Sequence, residues 1–204
     1  MTDITFKGNP VKTVGQLPEP GAQSPDFRLT CTDLSDTTLG DFSGKKVILN
    51  IFPSIETMVC AESVRRFNAE VDGLDNTEVL CISRDLPFAH QRFVQNERID
   101  NVISVSELRN LDFGDQYGVR IADGPLAGLL SRAVVVIDEN GRVLYTQQVP
   151  EIGQEPDYAP VIDAVRSLGA QSSFEEVCTK MPTGEQARFD DTDEPCDDGR
   201  AGKI

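Results

Sequence analysis

The stretch Val47-Ile-Leu-Asn-Ile-Phe-Pro53-Ser-Ile-Glu-Thr57-Met-Val-Cys60 decides the reading of this chain. Val47 to Phe52 is apolar nearly throughout, as a strand covered on both faces must be. Pro53 stops it. Beyond the turn, Cys60, Val64, Phe67, Val71 and Leu74 recur at steps of four and three, which predicts a helix with Cys60 in its first turn. Thr57 or Ser54 is placed to cap its start, and Gly73 lies near its end. A lone helical cysteine is ordinarily a small hydrophobe of the core. The Thr57-x-x-Cys60 spacing on a turn after a strand argues for chemistry instead. It sets a hydroxyl one turn before the sulfur, and the unpaired N–H groups of a helix N-terminus favour the thiolate, which is the nucleophilic form.

Working outward, Ile4 to Lys7 and Val11 to Val14 around Gly8-Asn-Pro10 read as a small hairpin. Gln16 to Ser24 is a Pro/Gly-rich connection. Phe27 to Cys31 alternates as a strand, and Thr37 to Leu39 returns after a turn at Asp33 to Asp36. Thr77 to Ile82 reads as a second central strand. A helix begins over Phe88 to Val94, with Pro87 suited to its first position. Ala133 to Ile137 and Arg142 to Gln147 form a hairpin across Asp138-Glu-Asn-Gly141. Tyr158 to Leu168 is an amphipathic helix. Strands alternating with helices and closing on a hairpin and a helix indicate an α/β sandwich, compatible with a thioredoxin-like fold.

Composition narrows the function. A chain of 204 residues suits one domain plus an appendage. The formal charge of −15 argues against nucleic acid, whose phosphates need clustered Lys and Arg. No run of about 18 apolar residues suggests a membrane span, and Met1 to Lys7 lacks the pattern of a secretory signal. The cysteines are Cys31, Cys60, Cys81, Cys178 and Cys196, with no C-x-x-C. Their odd number and the missing signal point to a reducing, cytoplasmic setting. The single histidine, His90, argues against a His-rich metal site, and no cofactor is expected. From Gly169 to Ile204 acidic residues number nine against four basic ones. Residues 1–168 are therefore read as the folded domain. Residues 169–204 are read as an acidic, flexible tail, with a short helix expected over Ser173 to Lys180.

Several further words accompany Pro53-x-x-x-Thr57-x-x-Cys60. They are Gly8-Asn-Pro-Val11, Asp33-Leu-Ser-Asp36, Leu80-Cys-Ile-Ser83, Asp85-Leu-Pro-Phe-Ala89, Ile121-Ala-Asp-Gly-Pro-Leu126 and Arg132-Ala-Val-Val-Val-Ile-Asp-Glu-Asn140. In this order, from about Thr5 to Leu168, the set resembles the bacterial thiol peroxidases, a branch of the peroxiredoxins. The resemblance implies a thioredoxin-like fold with a central mixed sheet, flanking helices and an N-terminal β-hairpin. It implies an antioxidant peroxidase that reduces hydrogen peroxide and organic hydroperoxides through a sulfenic acid on Cys60. Thr57, Arg132 and Pro53 complete the implied site, and a homodimer is implied, packed near the active-site loops. The reductant expected is thioredoxin, glutaredoxin or a low-molecular-weight thiol.

One departure stands out. The family's resolving cysteine follows an Arg-Phe pair in the helix after Asp85 to Ala89, and here Arg92-Phe93 is followed by Val94. Cys81, mid-strand, reads as core, and Cys31 as packing. The resolving candidates are then Cys178 and Cys196, of which Cys178 is nearer the domain, or else an external thiol. A peroxide sensor or redox-binding protein without turnover is the alternative function. Arg65 and Arg66 lie off the Cys60 face and read as surface residues. Met58 reads as a pocket wall or a packing residue.

Overall fold

The computed structural model describes residues 1–167. Leu168, the acidic tail, the helix expected over Ser173 to Lys180, and both Cys178 and Cys196 lie outside the described residues.

The N-terminal hairpin pairs β1 (Asp3–Phe6) with β2 (Asn9–Lys12) as a sheet of its own. The main sheet comprises β3 (Arg28–Cys31), β4 (Asp36–Thr38), β5 (Lys46–Ile51), β6 (Thr77–Ser83), β7 (Ile103–Ser106), β8 (Ala133–Ile137) and β9 (Val143–Gln148). Its spatial order is β4-β3-β7-β6-β5-β8-β9. The β5–β6 and β6–β7 pairs are parallel, and the remaining pairs are antiparallel. This is the mixed sheet of a thioredoxin-like fold.

The alternation of side chains along each strand divides the core. Ile48 and Phe52 of the β5 segment, Val79 and Cys81 of β6, and Val134 and Val136 of β8 share one face. Against it pack α1 (Met58–Glu70), α2 (Pro87–Glu97) and the helix at 158–167, called α4. Val47, Leu49 and Ile51 of β5, Leu80 and Ile82 of β6, and Ala133, Val135 and Ile137 of β8 turn to the other face, where α3 (Asp112–Gln116) supplies Phe113. The predicted stripe on α1 is buried throughout, with Cys60, Val64 and Phe67 at 0 % exposure. Burying a Phe or Val side chain of this kind contributes about 1.5–3 kcal/mol.

Most differences from the sequence reading lie at element ends. The regular helix α1 stops at Glu70, and a single 3-10 turn carries Val71 to Gly73. Helix α2 takes Pro87 as its first residue and runs three residues past Val94, to Glu97. Strand β7 and helix α3 were not anticipated. Ile103-Ser-Val-Ser106 is short and half polar, and it is a strand because β6 and β3 bond it from both sides.

Candidate active site

Register brings the site together. Strand β8 runs antiparallel to β5 with Ile51 opposite Ala133. The residue before β8, Arg132, is thus delivered to the edge where the chain leaves β5 through Phe52 and buried Pro53. Helix α1 starts from that same edge.

Thr57 is the N-cap of α1, with extended backbone, and its side-chain oxygen accepts from the Cys60 N–H at 3.4 Å. The same hydroxyl donates to Cys60 Sγ at 2.8 Å. The cap and the contact to sulfur are one arrangement, because Cys60 is the third helical residue and its amide and thiol both face the cap. From the other side, Arg132 Nη2 donates to Cys60 Sγ at 3.1 Å. The guanidinium is aimed by its Nε, which donates to the Ile152 carbonyl at 2.9 Å. Its Nη1 is buried with no partner. Arg132 is 2 % exposed, and among the described residues it forms no salt bridge. A buried cation without a carboxylate is costly unless an anion arrives. The sulfur, as thiolate, is one such anion, and the open Nη1 can serve a second acceptor beside it.

Two outer contacts hold Arg132 in line. Ile152 N–H donates to Thr5 O, and the neighbouring Glu151 carboxylate accepts from Gly8 N–H, Thr5 Oγ1, Gly153 N–H and Lys7 N–H. These donors, Gly8 first and then Thr5, hold the Glu151 carboxyl down at about 2. The N-terminal hairpin is thereby tied to the loop that aims the arginine. On the inner side, Tyr158 packs edge-on to Phe67 and lies under Arg66, and its hydroxyl donates to Glu155 at 2.8 Å.

A cavity opens beside the turn, lined by Ile55, Thr57, Met58, Phe93 and Glu155. Met58 forms part of this wall and is 87 % exposed, so it is not a packing residue. A second cavity, near Ser24, Asp26 and Asp138, lies at the opposite end of the sheet and has no cysteine in its lining. Among the described residues no group of His, Cys, Asp or Glu is arranged to hold a metal ion.

The remaining candidates fall away from this centre. Cys81 is 0 % exposed within β6, and burial pushes its thiol up to about 12 despite a 3.6 Å contact from Asn50 Nδ2. Cys31 is half-buried, and its thiol is also raised, by burial first and then by Asp33, Asp36 and Asp41. Arg65 pairs with Glu62 and Glu97 at the surface. Val94 packs with Phe93 against the core, and no thiol stands at that position. The sequence reading missed the Ile152 carbonyl, Glu151 and Asp85. The first two carry no local signal, and Asp85 stands out in the sequence only as part of a family word.

A family model for redoxins matches residues 19–162. A thiol peroxidase of Mycobacterium bovis is 51% identical over 170 residues, covering 83% of this chain and 100% of that protein. Among solved structures, a peroxiredoxin-like protein from Aquifex aeolicus superposes with a TM-score of 0.78 at 37% identity, covering 82% of this chain and 98% of that one. A thiol peroxidase from Chromobacterium violaceum gives 0.75 at 22% identity, covering 85% and 98%, a likeness of fold alone.

Proposed function

The chain belongs to the redoxin family and is a thiol-dependent peroxidase, and we propose that Cys60 is its peroxidatic nucleophile, assisted by Thr57, Arg132 and Pro53. The thiolate attacks one oxygen of the hydroperoxide in line with the O–O bond. An S–O bond forms as the O–O bond breaks, and the leaving oxygen departs as water or an alcohol after taking a proton. Cys60 is left as a sulfenic acid, oxidised by two electrons. Thr57 Oγ1 and Arg132 Nη2 hold the sulfur, and Arg132 Nη1 donates to the oxygens as charge moves onto them. Pro53 closes the turn and keeps water from the sulfur. The observation that carries this reading is the pair of donors at 2.8 and 3.1 Å on one buried sulfur, with a third donor unpaired beside them.

A second thiol must then attack the sulfenic sulfur, forming a disulfide and releasing water. With Val94 at the family's resolving position, we propose Cys178 for this role, ahead of Cys196. Lys46 Nζ meets the Val165 carbonyl, so the last described turn of α4 lies at the far end of β5 from Cys60. That strand is roughly 20 Å long. The chain from residue 167 to Cys178 spans up to roughly 36–40 Å. The reach suffices, and Cys178, being nearer than Cys196, has the higher effective concentration. On this reading thioredoxin, glutaredoxin or a low-molecular-weight thiol reduces the disulfide. The enzyme works as a cytoplasmic homodimer, with exposed Met58, Leu86 and Phe88 supplying apolar contact area.

The test is steady-state consumption of hydrogen peroxide with each reductant, for the full chain and for a chain ending at residue 169. Continuous turnover by the full chain and a stoichiometric burst from the truncated one are expected. Equal turnover by both would assign resolution to an external thiol. A burst without turnover from the full chain would contradict the catalytic reading.

A further inference from the structure

We propose that Asp85 is a positioning residue for the reactive turn. It holds Ser54 and Ile55 so that Thr57 stays on the Cys60 sulfur. The inference rests on Cys60 being the nucleophile.

The turn between β5 and α1 belongs to no helix or strand, yet its groups are gripped from one side. Asp85 Oδ1 accepts from Ser54 Oγ at 2.8 Å, and Oδ2 accepts from Ile55 N–H at 2.7 Å and from Ser83 Oγ at 2.7 Å. Asp85 lies two residues before Pro87, the first residue of α2, and thirty positions from Ile55. It therefore fastens the turn to the end of β6. Ser54, held by its hydroxyl, offers its carbonyl to Thr57 N–H at 3.2 Å and stands 3.3 Å from Thr57 Oγ1. A shift of Ser54 consequently moves the hydroxyl that touches sulfur.

The carboxylate is itself supported from a buried side. His90, fully buried, stands with Nε2 2.9 Å from Ser83 Oγ. Because Ser83 gives its hydrogen to Asp85, the imidazole carries its proton on Nε2 and donates to Ser83. The unpartnered Nδ1 is then a bare lone pair rather than a stranded donor. Burial pushes this histidine down to about 4, so the ring is neutral at pH 7 and the order of donors holds. The only histidine of the chain is thus accounted for as the anchor of the relay. A surface pair, Arg92 with Glu56, ties the outer side of the turn to α2.

Peroxide attack needs Thr57, Arg132 and the sulfur in one geometry, whereas alkylation needs an accessible thiolate, which Arg132 still faces when the turn is released. The two reactions therefore respond oppositely to a released turn. In Asp85→Asn, Nδ2 replaces an acceptor facing N–H or O–H donors. Oxidation of Cys60 by hydrogen peroxide should slow by about 10–100-fold, as for a displaced catalytic group. Labelling of Cys60 by iodoacetamide, followed by peptide mass mapping, should become several-fold faster. Ser54→Ala removes one of the three bonds and should shift both rates the same way by a smaller factor. It carries the test if Asp85→Asn does not fold. Both rates falling together, or neither moving, would overturn the positioning role. If wild-type Cys60 does not react with peroxide at all, the proposed function fails, while the labelling arm still reports on the clamp.

Discussion

Two cysteines in this molecule are equally hidden and differ in what touches the sulfur. Cys60 in the first turn of α1 and Cys81 in the middle of β6 are both 0 % exposed, and both belong to the same core face. Cys81 meets apolar strands and one amide at 3.6 Å, and its thiol is pushed up to about 12. Cys60 meets a hydroxyl at 2.8 Å and a guanidinium at 3.1 Å. Depth alone therefore does not distinguish the two thiols. What distinguishes them is whether the surroundings bring close donors to the sulfur, and a helix start next to a strand edge does so here where the middle of the sheet does not.

Exchanging either sulfur for oxygen gives the largest contrast. Cys60→Ser should abolish peroxide consumption with the fold intact by circular dichroism, and Cys81→Ser should retain it. Loss of activity in Cys81→Ser alone would reverse the comparison. Arg132→Met removes the donor to sulfur and the one proposed for the peroxide oxygens. Stopped-flow oxidation should slow by about 10²–10³-fold, the range for losing a preorganised donor to developing charge. Arg132→Lys should recover little, because an ammonium cannot keep the Ile152 carbonyl, the sulfur and a peroxide together.

The support beneath the Cys60 turn adds an acid-range pH signature, where the Cys81 thiol, raised by burial, responds only to alkali. His90 falls from its ordinary 6.5 to about 4 on burial. Below pH 6.5 the unfolded chain takes up a proton that the folded chain refuses, so stability declines as pH falls from 6.5 and levels off near 4. The total is roughly 3 kcal/mol. Urea midpoints should follow that course and lose it above pH 4.5 in His90→Gln. Below 4.5, Glu151, whose carboxyl is held at about 2, adds an acid loss of its own.

Smaller effects separate the two sites further. Thr57→Val should slow oxidation about tenfold, one hydrogen bond's worth to a charged atom, and lower stability by about 1 kcal/mol through the lost cap. Thr57→Ser should restore both. Cys81→Ala should cost about 1 kcal/mol in denaturation and leave the oxidation rate unchanged.

The sequence carried the local half of this site. The apolar β5 run, the turn and the stripe through Cys60, Val64 and Phe67 are short-range patterns, and Thr57 lies within a single turn of the sulfur. Arg132 is 72 positions from Cys60. It was legible only through the family resemblance, since nothing local marks an arginine before an apolar strand as turned inward. Asp85 and the Ile152 carbonyl were out of reach for the same reason, because strand order and register make those contacts. Strand β7 escaped because its two serines, Ser104 and Ser106, are buried by neighbours rather than by their own character. The reading of 169–204 as a tail falls outside the described residues.

The most direct test oxidises the full chain with one equivalent of hydrogen peroxide in the presence of dimedone and maps every cysteine by mass spectrometry. The account predicts oxidation centred on Cys60, as a dimedone adduct or a disulfide, with Cys81 unmodified until the protein is unfolded. Oxidation at Cys81 or Cys31 with Cys60 left as a thiol would contradict it.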